Sequence, residues 1–233
     1  MQKFMRGFEP DAERGNPGKT EETIPIDNTN RKTEKLYLRK ILKNKPRECV
    51  MKKIDDIYNG GRFKIERVEV DLPGGVTLER VVVKPGGAVA MLPIEGDSCY
   101  LIKQYRYPID EYIYEAPAGT MNEGETPDET AYRELIEETG YRSDRLVPIG
   151  FIYTTPGYTN ERIWLYEAHS LTPSNEFHKD EDELIEVVKV KKEEVFEMIR
   201  DGRIVDAKTI CLVLKSLLSE EAVKAYVNSP GKE

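Results

Sequence analysis

The 233-residue sequence predicts an α+β fold in which helices cover a mixed sheet. Three observations lead there. Near-alternating apolar segments fill residues 63–106, one helix with complete start and stop signals stands at 127–139, and helical patterns return only after residue 191.

Residues 1 to about 30 are polar and broken by Gly7, Gly15, Pro17, Gly18 and Pro25, which suits a flexible leader. Leu36 to Val50 accommodates a short helix or a strand. Phe63, Ile65, Val68 and Val70 then nearly alternate; Leu72-Pro73-Gly74-Gly75 turns the chain, and Val76 to Val83 returns it. Pro85-Gly86-Gly87 is a second turn before a strand at Ala88 to Pro93, and Glu95-Gly96-Asp97 a third before one at Cys99 to Arg106. Glu115 to Pro117 is expected to be short and extended. For the helix at 127–139, Thr126 is the cap, Pro127 takes the first position, Glu129 closes a capping box and Gly140 ends it. Strands are expected at Leu146 to Tyr153, Ile163 to Ala168 and Ile185 to Val190, the last after an acidic loop at Asp180 to Glu183. Helices at Lys192 to Arg200, Ala207 to Ser219 and Glu221 to Val227 complete the chain.

Composition narrows the function. A charged fraction of 33% beside an apolar fraction of 39% describes an ordinary globular chain and excludes a coiled coil or collagen. No run of eighteen apolar residues occurs, and the opening MQKFMRGFEP lacks a long apolar stretch, so a cytoplasmic protein without membrane association is expected. The odd set Cys49, Cys99 and Cys211 argues against a secreted disulfide scaffold, and two histidines, His169 and His178, against His-rich zinc catalysis. Of the net charge of −8, residues 1–50 carry twelve Lys/Arg against eight Asp/Glu, which leaves an acidic body of −12. Such a body disfavours nucleic-acid backbones but suits a metal-bridged anionic substrate.

The candidate chemistry lies in Gly119-Thr-Met-Asn-Glu-Gly-Glu125 and Arg133-Glu134-Leu135-Ile136-Glu137-Glu138-Thr139-Gly140-Tyr141. At about 100° per residue, Glu134, Glu137 and Glu138 share one helical face. Like charges so placed repel, and a divalent cation reverses the sign; oxygen-only ligands favour Mg2+ or Mn2+. Arg133, four residues before Glu137, can orient one carboxylate. Arg80 and Arg106 sit in strand-like segments where an unpaired guanidinium is costly, so each is a candidate for phosphate or for an internal carboxylate.

The frame of Gly, five residues, Glu, seven residues, Arg-Glu-aliphatic-any-Glu-Glu-any-Gly and an apolar position resembles the Nudix hydrolase box. Only Tyr141 departs, an aromatic where an aliphatic is usual. The resemblance implies a Nudix α/β/α sandwich that hydrolyses a nucleoside diphosphate linked to another moiety. It further implies Mg2+ held by Glu134, Glu137, Glu138 and the carbonyl of Ala118, with Mn2+ able to substitute. Within the superfamily, Pro156-Gly157 fifteen residues past Tyr141, Gln104-Tyr105-Arg106, the Glu115 to Gly119 approach and the acidic loop are similar to the ADP-ribose pyrophosphatases. This resemblance implies ADP-ribose cleaved to AMP and ribose 5-phosphate, with substrate contacts from Arg106, Gln104, Pro156 and Gly157; Arg80 joins them as a candidate on its strand setting alone. Catalysis falls to Arg133, Glu137 and a water-activating carboxylate in the acidic loop, Glu183 ahead of Glu181. It also implies a homodimer whose N-terminal strands pack across to the partner, a role open to the strands at 63–70 and 76–83; an extra sheet on their own subunit is the equally simple alternative. The expected organisation is a basic leader at 1–50, a strand region at 51–90 with a role in dimerisation, and a catalytic domain at 91–233. GDP-mannose is the alternative substrate, since its pyrophosphatases share the Pro-Gly loop; RNA-directed and non-enzymatic readings are disfavoured by the acidic body and the intact carboxylates.

Overall fold

A computed structural model describes residues 49–174 and 185–218. Strands β1 (Val50–Asn59), β2 (Phe63–Leu72) and β3 (Val76–Pro85) form an antiparallel sheet in the order β1-β2-β3. The second sheet contains β4 (Ala88–Glu95), β5 (Ser98–Arg106), β6 (Glu111–Glu115), β7 (Ala118–Thr120), β8 (Tyr141–Tyr153), β9 (Arg162–Pro173) and β10 (Ile185–Lys191). Its path is β10-β5-β4-β9-β8, with β6 on β5 and β7 on β4. The β4–β9 pair is parallel and the other pairs antiparallel, so the sheet is mixed. The helices are α1 (Pro127–Thr139), α2 (Lys192–Arg200) and α3 (Ala207–Leu217).

Strand β4 shows why the fold has three layers. Its run Val89-Ala90-Met91-Leu92 is wholly buried, and successive side chains point to opposite faces. Val89 and Met91 pack with Ala131 and Leu135 of α1, whereas Ala90 and Leu92 pack with Val195 and Met198 of α2 and Leu212 and Val213 of α3. A continuous apolar strand therefore needs cover on both sides, and the helices supply it.

Several sequence expectations shift. Strand β1 opens the strand region expected at 51–90, but the sequence predicts no single strand there: Val50, Met51, Ile54, Ile57 and Tyr58 do not alternate, and the segment is exposed almost throughout and held by pairing to β2. The extended piece expected at Glu115 to Pro117 is instead the junction between β6 and β7. Pro117 has no N–H for a ladder, and the Ala116 N–H donates to Thr209 Oγ1 at 2.7 Å. Strands β8 and β9 run longer than expected because their antiparallel pairing continues from Tyr153↔Arg162 to Tyr141↔Pro173. Helix α3 ends at Leu217. The leader, the acidic loop and the helix expected at Glu221 to Val227 lie outside the described residues. Among the described residues no helix is long and apolar enough to cross a membrane, and all three cysteines are free.

The two sheets are joined near Pro156. Val83 N donates to the Tyr158 carbonyl at 2.8 Å and Asn160 N to the Val83 carbonyl at 3.4 Å, so the loop after β8 is laced to β3.

Candidate active site

Two elements set the site: the start of β7 and the face of α1. β7 is fixed by pairing with β4, Val89 opposite Gly119 and Ala90 opposite Ala118. α1 is fixed at both ends. Thr126 Oγ1 accepts from Glu129 N, the Glu129 carboxylate accepts from Thr126 N, and Gly140 adopts the left-handed conformation with its N–H on the Ile136 carbonyl. The helix lays its acidic face over β7. Glu138 accepts from Ala118 N at 2.7 Å. Glu134 lies so close that a Cβ on Gly119 would fall 1.8 Å from its carboxyl carbon.

Arg133 is the hub of this face. It donates to both oxygens of Glu125 at 2.9 Å, to Glu134 and Glu137 at 2.7 Å each, and to the Thr120 carbonyl at 3.2 Å. The Arg133 guanidinium, with help from Asn122 and Thr130, holds the Glu125 carboxyl far below the usual carboxylate range. The Glu125 bond in turn raises Arg133. The repulsion expected between Glu134 and Glu137 is thus relieved by one internal cation, while Glu138 is held by the Ala118 N–H.

No group of three acidic, histidine or cysteine side chains converges as a ready-made metal cage among the described residues. The donor set still fits a hard cation: Glu134, Glu137 and Glu138 offer oxygen only, they share a face, and glycine at 119 keeps space beside the Glu134 carboxylate.

Beside this face opens a cavity of about 910 Å³, lined by Arg106, Ala118, Gly119, Thr120, Phe151, Tyr153, Thr154, Thr155, Glu161, Asp206 and Lys208 among others. Arg106 is at its wall, where Nε and Nη2 donate to the two oxygens of Glu115 at 2.6 and 2.7 Å. Of the two partners left open for Arg106 by the sequence, the internal carboxylate is therefore present, and the guanidinium also borders the cavity. Glu115 itself is buried, and Lys208 Nζ is its second cation. Burial pushes the Glu115 carboxyl up, Arg106 and Lys208 more than reverse the effect, and it ends below the ordinary range.

Other expected contacts lie elsewhere. Arg80 is exposed on β3 and bonds the Glu79 carbonyl at 2.8 Å. Gln104 is buried in β5, its Oε1 without a hydrogen-bond partner among the described residues. Pro156 and Gly157 form an exposed turn beyond Thr155, closed by Tyr158 N on the Thr155 carbonyl at 3.2 Å. Glu181 and Glu183 fall outside the described residues. Sequence reasoning missed the clamp of Glu115 by Lys208 and the tie from Thr209 to Ala116. Their only local signal is the Asp206 cap, because 93 residues separate the partners. Tyr141, the departure from the box, packs on Tyr100 with ring centroids 4.9 Å apart.

A NUDIX domain model matches residues 84–213. The chain belongs to the Nudix family. It is 36% identical over 174 residues to the methanol dehydrogenase activator of Bacillus methanolicus, covering 74% of this chain and 94% of that protein. Similarity to the ADP-ribose pyrophosphatase of Bacillus subtilis (strain 168) is 36% over 173 residues, 73% and 93% of the two chains. The GDP-mannose pyrophosphatase of Cronobacter sakazakii is 37% identical over 136 residues, 55% and 71%. A crystal structure of an ADP compounds hydrolase superposes with a TM-score of 0.65 at 21% identity, covering 82% of this Nudix chain and all of the other, and so shares the fold. Nudix hydrolases are typically Mg2+-dependent.

Proposed function

We propose that this Nudix hydrolase cleaves the diphosphate of ADP-ribose, yielding AMP and ribose 5-phosphate. The observation that carries the reading is the box face, with Glu134 against Gly119 and Glu138 on Ala118, opening beside a cavity whose wall holds Arg106. The cavity volume suits a ligand of dinucleotide size. Glu134, Glu137, Glu138 and the Ala118 carbonyl would hold Mg2+ or Mn2+, which neutralises phosphoryl oxygens and acidifies water when bound. Arg133 Nη1 bridges and orients Glu134 and Glu137, and Arg106 offers charge-assisted donors to the diphosphate. The similarity to the Bacillus subtilis ADP-ribose pyrophosphatase supports this substrate; that to the Cronobacter sakazakii protein supports GDP-mannose as the alternative. Chromatographic product analysis with each substrate and Mg2+ decides: AMP with ribose 5-phosphate is expected, and GMP with mannose 1-phosphate as the far faster reaction would transfer the assignment.

The water-activating carboxylate is proposed to be Glu183 in preference to Glu181. Both belong to a polar stretch of sequence, and Glu183 immediately precedes the apolar step into β10. Glu183→Gln is expected to lower kcat by about a hundredfold or more while KM changes little, since general-base help is needed mainly in the transition state. A comparable loss in Glu181→Gln alone would move the role to that residue.

A further inference from the structure

A line of charges runs from the start of α3 to the strand before the box. Asp206 caps α3, accepting from Thr209 N at 2.9 Å and from Thr209 Oγ1 at 2.5 Å. Lys208, in the first turn of α3, lies 3.1 Å from Asp206 Oδ2 and donates to Glu115 Oε2. Glu115, with 1% of its side chain exposed, also takes both Arg106 bonds. Arg106 is 38% exposed and Lys208 14%, and both border the cavity.

This arrangement answers a problem that a buried Arg–Glu pair creates. A diphosphate that draws on Arg106 competes with Glu115 for the guanidinium. A buried carboxylate stripped of its only cation is heavily penalised, so a lone pair would hold Arg106 back from the ligand. With Lys208 present, Glu115 keeps a cation while the remaining N–H donors of Arg106 serve the cavity. Lys208 is itself pinned between two carboxylates, Asp206 and Glu115, and Asp206 is locked to the helix end.

We propose that Lys208 is a positioning residue: it holds the Glu115 carboxylate so that Arg106 is available to the diphosphate. The inference deepens the pyrophosphatase reading and rests on it for the identity of the ligand.

Calorimetric titration of inorganic pyrophosphate at fixed Mg2+ reads this step without turnover, and steady-state kinetics with ADP-ribose divide KM from kcat. Lys208→Met is expected to weaken pyrophosphate and raise KM by about tenfold, the scale of one charge-assisted bond, with a much smaller change in kcat. Lys208→Arg, which keeps the charge, should bind nearly as the parent does. The sharpest variant is the double Glu115→Gln/Lys208→Met: with no carboxylate charge left to hold Arg106, affinity should return to within about threefold of the parent. Should the single variant not fold, the double variant, which leaves no buried carboxylate without a cation, decides alone. Equal affinity of parent and Lys208→Met, absence of binding to the parent, or a double variant as weak as the single would overturn the proposal; the last would mean that Lys208 meets phosphate directly. A parent protein that binds pyrophosphate with this pattern but hydrolyses neither ADP-ribose nor GDP-mannose would sink the functional reading and leave the role of Lys208 standing.

Discussion

A methyl group on Gly119 would lie 1.8 Å from the carboxyl carbon of Glu134 and 2.0 Å from one of its oxygens. Gly119→Ala must therefore displace the carboxylate, and a shift near 1 Å costs catalysis about a hundredfold. Circular dichroism is expected to show an intact fold beside that loss; a fully active Gly119→Ala protein would remove Glu134 from the site. Glu115 contributes to the pH dependence of stability. Its carboxyl lies below the ordinary value when folded, so its contribution to stability is complete above about pH 4.3 and is lost as pH falls through the lowered value. The melting temperature of Glu115→Gln should fall well below that of the parent at pH 7, and the gap should narrow toward pH 2. A gap that is constant with pH would show that the Glu115 charge is not what stabilises. The box residues were legible in sequence because their spacing is local to one helix. Lys208 was not, since nothing between residues 115 and 208 signals that they meet.

At the scale of elements, α1 combines nearly every device that starts and stops a helix, which is why its bounds agree with expectation at both ends. Replacing Thr126 with Ala removes the cap oxygen and should cost about 1 kcal/mol in urea denaturation. It should also reduce activity, because the cap sets the register of Glu134 and Glu138 over β7; an unchanged midpoint would contradict this. Central strands such as β4 and β5 were legible through their apolar content. β1 was not, because its side chains are exposed and its order comes from the neighbour strand, information no local window contains. The bulged pairing of β8 with β9, broken between Pro148 and Gly150, likewise extends beyond what alternation suggests.

Across the whole molecule, the three-stranded sheet leaves Met51, Ile54, Ile57, Phe63, Val76 and Val81 exposed. Along the unbulged β3, Val76 and Val81 point to opposite faces, so apolar side chains are exposed on both sides of this sheet, and a second copy is expected to cover part of it, with residues 62–83 in the interface. Light scattering at micromolar concentration should give twice the chain mass of 26.7 kDa, and Val76→Lys with Val81→Lys should shift it toward one chain. A monomeric parent with full activity would overturn the expectation. The bond between Lys208 and Glu115 spans 93 residues, and this has a consequence for synthesis. At about 5–20 residues per second, roughly 5–20 s pass between the making of Glu115 and of Lys208. During that interval the nascent chain can hold the box helix and β4 yet lacks α3, so its Arg106 and Glu115 face each other without their third member. A ribosome stalled between residues 139 and 208 displays a chain that has its box glutamates but lacks the lysine that pairs with Glu115.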